Sequence, residues 1–211
     1  MNRWVIAGAA AAGAMWLSGC ATMSEDQCRA GDWGGQGYRD GSQGLPMSRL
    51  EDHAKACGKH GVAPEETPYR SAREDGLRTY CRFERGFEEG RRGNDYHGVC
   101  RPEEEAGFLP AYHDGQRLHT AESALESAAS ELDSAVAWID AREGKLEAKQ
   151  RELREDGKTD DEKALIRRRI EEVRGELREA RRRARDAERA LEWAELEANR
   201  VRFELSGRYP V

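Results

Sequence analysis

Leucine or isoleucine recurs every seven residues through the second half of the chain, and that spacing constrains the fold more than any other feature. Leu118, Leu125, Leu132, Ile139, Leu146 and Leu153 form one series, with Ala121, Ala128 and Ala135 three positions after its first members. Apolar residues at this a/d spacing, sustained over more than five heptads, call for a helix paired along its length. Glu155-Asp156-Gly157-Lys158 interrupts the pattern, and Thr159 to Glu162 has the form of a capping box, so a second helix starts there. Its seam is Ile170, Leu177, Ala184, Leu191, Ala198 and Leu205, with Ile166, Val173, Ala180, Ala187, Ala194 and Val201 at the companion position.

Folding the two seams about Gly157 pairs Leu146 with Ile170, Ile139 with Leu177, Leu132 with Ala184, Leu125 with Leu191 and Leu118 with Ala198. Large layers then alternate with Ala–Ala layers in one antiparallel register. Charge favours the same pairing, because residues 116–156 carry 6 basic and 10 acidic side chains while 157–211 carry 15 and 13. The Arg runs at 167–169 and 181–183 are interleaved with Glu, which is the pattern of a solvated flank. Trp138 and Trp193 lie beside the seam and either cover it or mark a partner-binding face.

The first half has a different composition. Residues 21–115 hold most of the glycine, five of the six prolines and Cys28, Cys57, Cys81 and Cys100. The shift sets a boundary near residues 110–118. Within this half one unit recurs at Gly37–Gly41, Ala72–Gly76, Gly86–Gly90 and Ala111–Gly115: a small residue, then Gly four positions on, with an acid before that Gly. Small residues four apart share a helix face and let another backbone approach closely. The competing reading makes each Gly a helix end, with almost equal force at Gly41 and Gly90. Asp40, Asp75, Glu89 and Asp114 then serve as caps or as partners of Arg39, Arg73 and Arg91. Ser48 and Glu51 predict a capped helix running to about Cys57.

The N-terminus gives an address. Arg3, the apolar stretch from Trp4 to Trp16 and Leu17-Ser18-Gly19-Cys20 together read as a lipoprotein signal peptide cut before Cys20. Small side chains admit the peptidase, and the Cys20 thiol takes the lipid. The stretch is shorter than the ~20 residues that span a bilayer. The mature chain holds 34 basic against 41 acidic side chains, net −7, which excludes nucleic acid as a partner. In an oxidising compartment the four remaining cysteines form two disulfides. Three connectivities are open, and short loops favour Cys28 with Cys57 and Cys81 with Cys100. His53, Cys57 and His60 are spaced as metal ligands, but zinc needs four groups and the cysteines have partners to find, so no metal or cofactor is expected. His113 and His119 read as surface histidines.

The order Cys28, Trp33, Gly37-Tyr38-Arg39-Asp40-Gly41, His53, Cys57, Tyr69, Gly76, Tyr80-Cys81, Gly86-Phe87, Gly90, Tyr96, Cys100, Phe108, Tyr112 and Gly115 resembles an envelope family known as domain of unknown function 2799. The resemblance covers roughly residues 25–119. It implies a periplasmic lipoprotein domain and carries over no catalytic residues. Position 21 is Ala. By resemblance to other Gram-negative lipoproteins, this implies the periplasmic face of the outer membrane.

The expected fold is all-α, a small disulfide-stapled Gly-rich helical domain followed by a long antiparallel coiled-coil hairpin. Its parts are a cleaved signal peptide (1–19), a lipidated tether (20–27), the Cys/Gly-rich domain (28–115), the hairpin (116–206, turn near 155–160) and a tail (207–211). No nucleophile elbow, HExxH or phosphate-cradling loop is present, so no catalytic residues are assigned. The expected work is structural or adaptor, with an envelope protein, the peptidoglycan or a second hairpin as partner. One alternative is a glycan- or peptide-binding module using Trp33, Tyr38, Tyr69, Tyr80, Tyr96 and Tyr112, with the hairpin as spacer. The other is a cell-wall hydrolase.

Overall fold

The computed structural model describes residues 22–210, and Cys20 with the expected signal peptide lies outside the described residues. Among the described residues there are seven helices and no strand: α1 (Glu25–Ala30), α2 (Trp33–Ser42), α3 (Arg49–Gly58), α4 (Glu66–Tyr80), α5 (Phe83–Arg91), α6 (Pro102–Arg154) and α7 (Asp160–Leu205). None of the described helices is long and apolar enough to cross a membrane. The chain forms two compact units that divide between Arg78 and Thr79. The composition change near 110–118 is therefore not a structural boundary. It falls inside α6, which runs unbroken through it. Pro110 sits within that helix, and the carbonyl its missing N–H leaves unmatched belongs to Ala106, which is exposed.

In the first unit, Ser24 caps α1 through a capping box with Gln27, and the Cys28–Cys57 disulfide ties α1 to α3. Met23, Cys28, Trp33, Cys57 and Tyr69 form its core, with Met47, Leu50 and Val62 packed against them. Residues 22–27 are thus folded rather than a free tether, since Met23 is 4% exposed. Ser48 precedes α3 but makes no capping bond, because its backbone is already helical and turns the hydroxyl away from the first amides.

The second unit holds the Cys81–Cys100 disulfide, with α5 against α6 and α6 against α7. Thr159 and Glu162 form the expected capping box, and the turn occupies residues 155–159. Ile166, Ile170, Leu177, Ala180, Ala184 and Ala187 of the α7 seam are buried. Their α6 counterparts Leu125, Leu132, Ile139, Leu146 and Leu153 are half-buried, as expected for a two-helix pair with no third layer. Ion pairs cross between the arms at Arg142–Glu176, Arg117–Glu204, Glu143–Arg181 and Glu122–Arg202. At the open end of the hairpin Leu118 and Ala198 share one core with Phe87, Ala111, Ala121, Val201, Leu205 and Tyr209.

Each unit contains the same helix crossing. In the first, a Cβ added at Gly37, Gly41 or Gly76 would lie 2.1, 2.2 or 2.3 Å from the carbonyl oxygens of Tyr69, Arg73 and Tyr38. In the second, Gly86, Gly90 and Gly115 stand 2.5, 2.0 and 2.2 Å, on the same measure, from the carbonyls of Phe108, Tyr112 and Phe87. The recurring glycines are therefore packing sites where only a hydrogen fits. The match extends beyond them. Gly44 and Gly93 hold the same left-handed turn (φ 69° and 72°), and the next amides bond back to the carbonyls of Asp40 and Glu89. The carbonyl of Leu45 accepts from Arg73 at 2.6 Å, and that of Asn94 accepts from the Tyr112 hydroxyl at 2.7 Å. The α2–α4 and α5–α6 pairs are two copies of one module, each with its own disulfide.

Candidate functional site

The acids before the repeat glycines do not pair with Arg39, Arg73 and Arg91 as expected. Arg39 turns to Gln36 and Asp32, Arg73 to the Leu45 carbonyl and Glu74, and Arg91 to Glu122. Asp40 instead sits in a buried polar network. Its Oδ2 accepts from the Tyr69 hydroxyl at 2.6 Å and lies 2.7 Å from His53 Nε2, while Oδ1 accepts from Gln36 at 2.7 Å. His53 Nδ1 lies 2.8 Å from Thr22 Oγ1. With Nε2 donating to the carboxylate, Nδ1 accepts from the threonine hydroxyl. Burial, reinforced by the bond to Asp40, drives the Tyr69 phenol well above its ordinary range and keeps it a donor.

Hydroxyl, imidazole and carboxylate in line are the parts of a nucleophilic relay. Here the imidazole is 1% exposed. Three donors also reach Asp40, so the arrangement locks Thr22, two positions after Cys20, onto the core. The metal-like spacing of His53, Cys57 and His60 does not converge. Cys57 is bonded to Cys28, and His60 faces Glu25 at 3.5 Å. Sequence reasoning missed this network because Asp40 and His53 look like surface residues. The available signal was the burial implied by a glycine on either side of the Tyr38–Asp40 segment.

In the second module the acids are held differently. Glu89 is met by Arg85 at 3.0 Å and by Asn94 at 2.8 Å. Asp114 is met by the C-terminal segment. The Tyr209 hydroxyl donates to its Oδ2 at 3.0 Å, Arg208 lies 2.7 Å from the same oxygen, and Arg117 approaches Oδ1 at 3.5 Å. The Tyr209 ring stacks on Phe87 at 3.9 Å between centroids, with Phe83 at 5.3 Å. Residues 207–210 are thus no free tail. Burial, with the bond to Asp114 adding, pushes the Tyr209 phenol up to about 12.

The six aromatic residues proposed for ligand binding separate sharply. Trp33, Tyr69, Tyr80 and Tyr112 are core residues, and Tyr96 is half-buried with its hydroxyl on Glu105 at 2.8 Å. Tyr38 alone among them is exposed, at 46%. His113 and His119 also have local partners, Gln116 and the Arg91 carbonyl.

The hairpin offers the other candidate surface. A groove of about 840 Å³ runs between the arms, floored by Ala135, Ala180 and Ala187 and rimmed by Trp138 and Glu131. Arg142 lies over the Trp138 ring at 4.2 Å and bridges to Glu176 at 2.6 Å. Trp138 is 53% exposed and Trp193 73%, so neither covers the seam.

With this geometry in place, comparison with known families gives a match. Residues 32–117 fit the family model described as "Protein of unknown function (DUF2799)". Over that span the chain is similar to DUF2799. The matched span opens at the cap of α2 and closes just past Gly115, so it takes in both crossed helix pairs and the first turns of α6. The span similar to DUF2799 is therefore the duplicated module, and the rest of the hairpin lies outside it. No curated protein and no solved structure matches the chain.

Proposed function

We propose that the protein is a lipoprotein held by Cys20 on the periplasmic face of the outer membrane, where it works as a structural adaptor rather than an enzyme. The observation that carries this is the hairpin groove, a solvent-open surface between two long helices with Trp138 at its rim. Two arms matched along a shared seam supply rigidity, and small residues on the floor admit a partner helix at close range. Two disulfides suit an oxidising compartment. Metabolic labelling with a fatty acid tests the anchor, with label expected on the wild-type chain and lost in Cys20→Ala. Replacing residues 129–190 with a short glycine turn tests the adaptor role, because a partner recruited through the groove is lost while Leu118, Ala121, Ala198, Val201 and Leu205 stay on the second module.

The runner-up reading, a glycan- or peptide-binding module with the hairpin as spacer, rests on Tyr38, the exposed member of the aromatic set.

A further inference from the structure

The duplicated module has one occupied socket and one open one. In the second unit, Phe87 and Asp114 together hold a ligand from the same chain. Phe87 stacks the Tyr209 ring, and Asp114 takes the Tyr209 hydroxyl and the Arg208 guanidinium. The crossing glycines fix which residues correspond in the first unit. Gly86-Phe87-Glu88-Glu89-Gly90 matches Gly37-Tyr38-Arg39-Asp40-Gly41, and Ala111 to Arg117 matches Ala72 to Arg78. Phe87 thus corresponds to Tyr38, Asp114 to Asp75 and Ala111 to Ala72. The small local contacts match too, since Arg78 pairs with Asp75 at 3.2 Å as Arg117 pairs with Asp114 at 3.5 Å.

What differs is cover. Phe87 is 4% exposed and Ala111 fully buried beneath the docked segment, whereas Tyr38 is 46% exposed and Ala72 partly open. The Asp114 side chain is 12% exposed and that of Asp75 58%. At the position of Phe83, which flanks the Tyr209 ring, the first unit has Gly34, and nothing stands within 4 Å of a Cβ placed there. The aromatic platform and the acid are present, and the approach to them is clear.

We propose that Tyr38 and Asp75 form a docking socket for a segment of a partner protein carrying a basic residue directly before a tyrosine, bound as Arg208 and Tyr209 are bound in the second unit. The partner's ring stacks on Tyr38, while its phenol and its cation share the Asp75 carboxylate. One ring and one charge-assisted bond make a small contact, so affinity falls in the micromolar to millimolar range. The chain's own tail does not compete, because it is tethered beside Asp114 at high effective concentration. This surface lies wholly within residues 34–78 and stands independently of the lipid anchor and of the hairpin groove.

The probe is a twelve-residue peptide copying residues 200–211, titrated into the mature chain and followed by fluorescence anisotropy. Saturable binding is expected, weakened about tenfold by Tyr38→Ala and by Asp75→Asn, and several-fold by a Tyr209→Phe change in the peptide. Tyr38 and Asp75 are exposed, so both variants keep the wild-type melting temperature. Absence of saturable binding up to several millimolar overturns the proposal, as does binding that ignores the Tyr38 and Asp75 changes. In cells, a photo-cross-linking amino acid replacing Tyr38 in the full-length chain should capture a foreign segment holding a basic–tyrosine pair. Capture of a second copy's residues 208–209 overturns the foreign partner in favour of self-association.

Discussion

The Tyr209 hydroxyl donates to the Asp114 carboxylate across the open end of the hairpin, joining two residues 95 positions apart in sequence. With the ring flat on Phe87, this contact ties the end of α7 to both helices of the second module. Tyr209→Phe removes one hydrogen bond but leaves Arg208 and Arg117 on Asp114, a loss of about 1 kcal/mol. Tyr209→Ala also empties the ring site and costs about 3–5 kcal/mol, the usual range for a buried aromatic. Urea titration of the two variants measures both. Equal, near-zero losses would mean that the tail contributes nothing to stability.

The same phenol predicts an alkaline limit. An unfolded tyrosine titrates near 10. In the folded chain burial first, and then Asp114, push Tyr209 up to about 12. The folded state keeps a proton that the unfolded state releases, so this contribution is complete below pH 10 and fades as pH rises from 10 to 12. Tyr96, pushed up to about 12 mainly by burial, acts over the same window. Melting temperature followed from pH 9 to 12 should fall in wild type and fall less steeply in Tyr209→Phe.

The polar network under the N-terminus gives a third expectation. Thr22→Val keeps shape but leaves His53 Nδ1 without its partner at 2.8 Å, and stability drops by about 1–3 kcal/mol. Asp40→Ala strands three donors at once, from Tyr69, His53 and Gln36, and costs more than Thr22→Val. Chemical denaturation ranks the two. A neutral Thr22→Val would show that the segment after Cys20 is not locked to the core.

Much of this architecture was legible in sequence, for physical reasons that also explain the gaps. Leu118, Ile170 and Leu177 announced paired helices because burial of one face demands a seven-residue period. What that period does not show is that Phe87 and Tyr209 join Leu118 and Ala198 in one core at the open end. The glycine units were visible as a recurrence, but nothing in a recurrence says that Gly41 and Gly76 meet across two helices. Asp40 and His53 were unreadable, since a buried acid and a surface acid have the same letter. Tyr209 falls in the expected tail, though an aromatic four residues after the last seam leucine continues the helix's buried side.

The glycines supply a prediction of opposite signs on chemically identical changes. Gly90 brings α5 against α6 so closely that a Cβ would stand 2.0 Å from the Tyr112 carbonyl oxygen. Because the obstacle is backbone, Gly90→Ala forces the helices apart and costs about 1–3 kcal/mol or more. Gly37, 2.1 Å from the Tyr69 carbonyl on the same measure, behaves likewise in the first unit. Gly144 lies on the exposed side of α6 with nothing within 4 Å, so Gly144→Ala gains the helix propensity difference, about 0.5–1 kcal/mol of stabilisation. Thermal melts of the three variants decide the matter. If Gly90→Ala and Gly37→Ala melt at or above the wild-type temperature, the close helix crossing does not exist in solution. The correspondence between the two modules, which those glycines define, would then lose its footing.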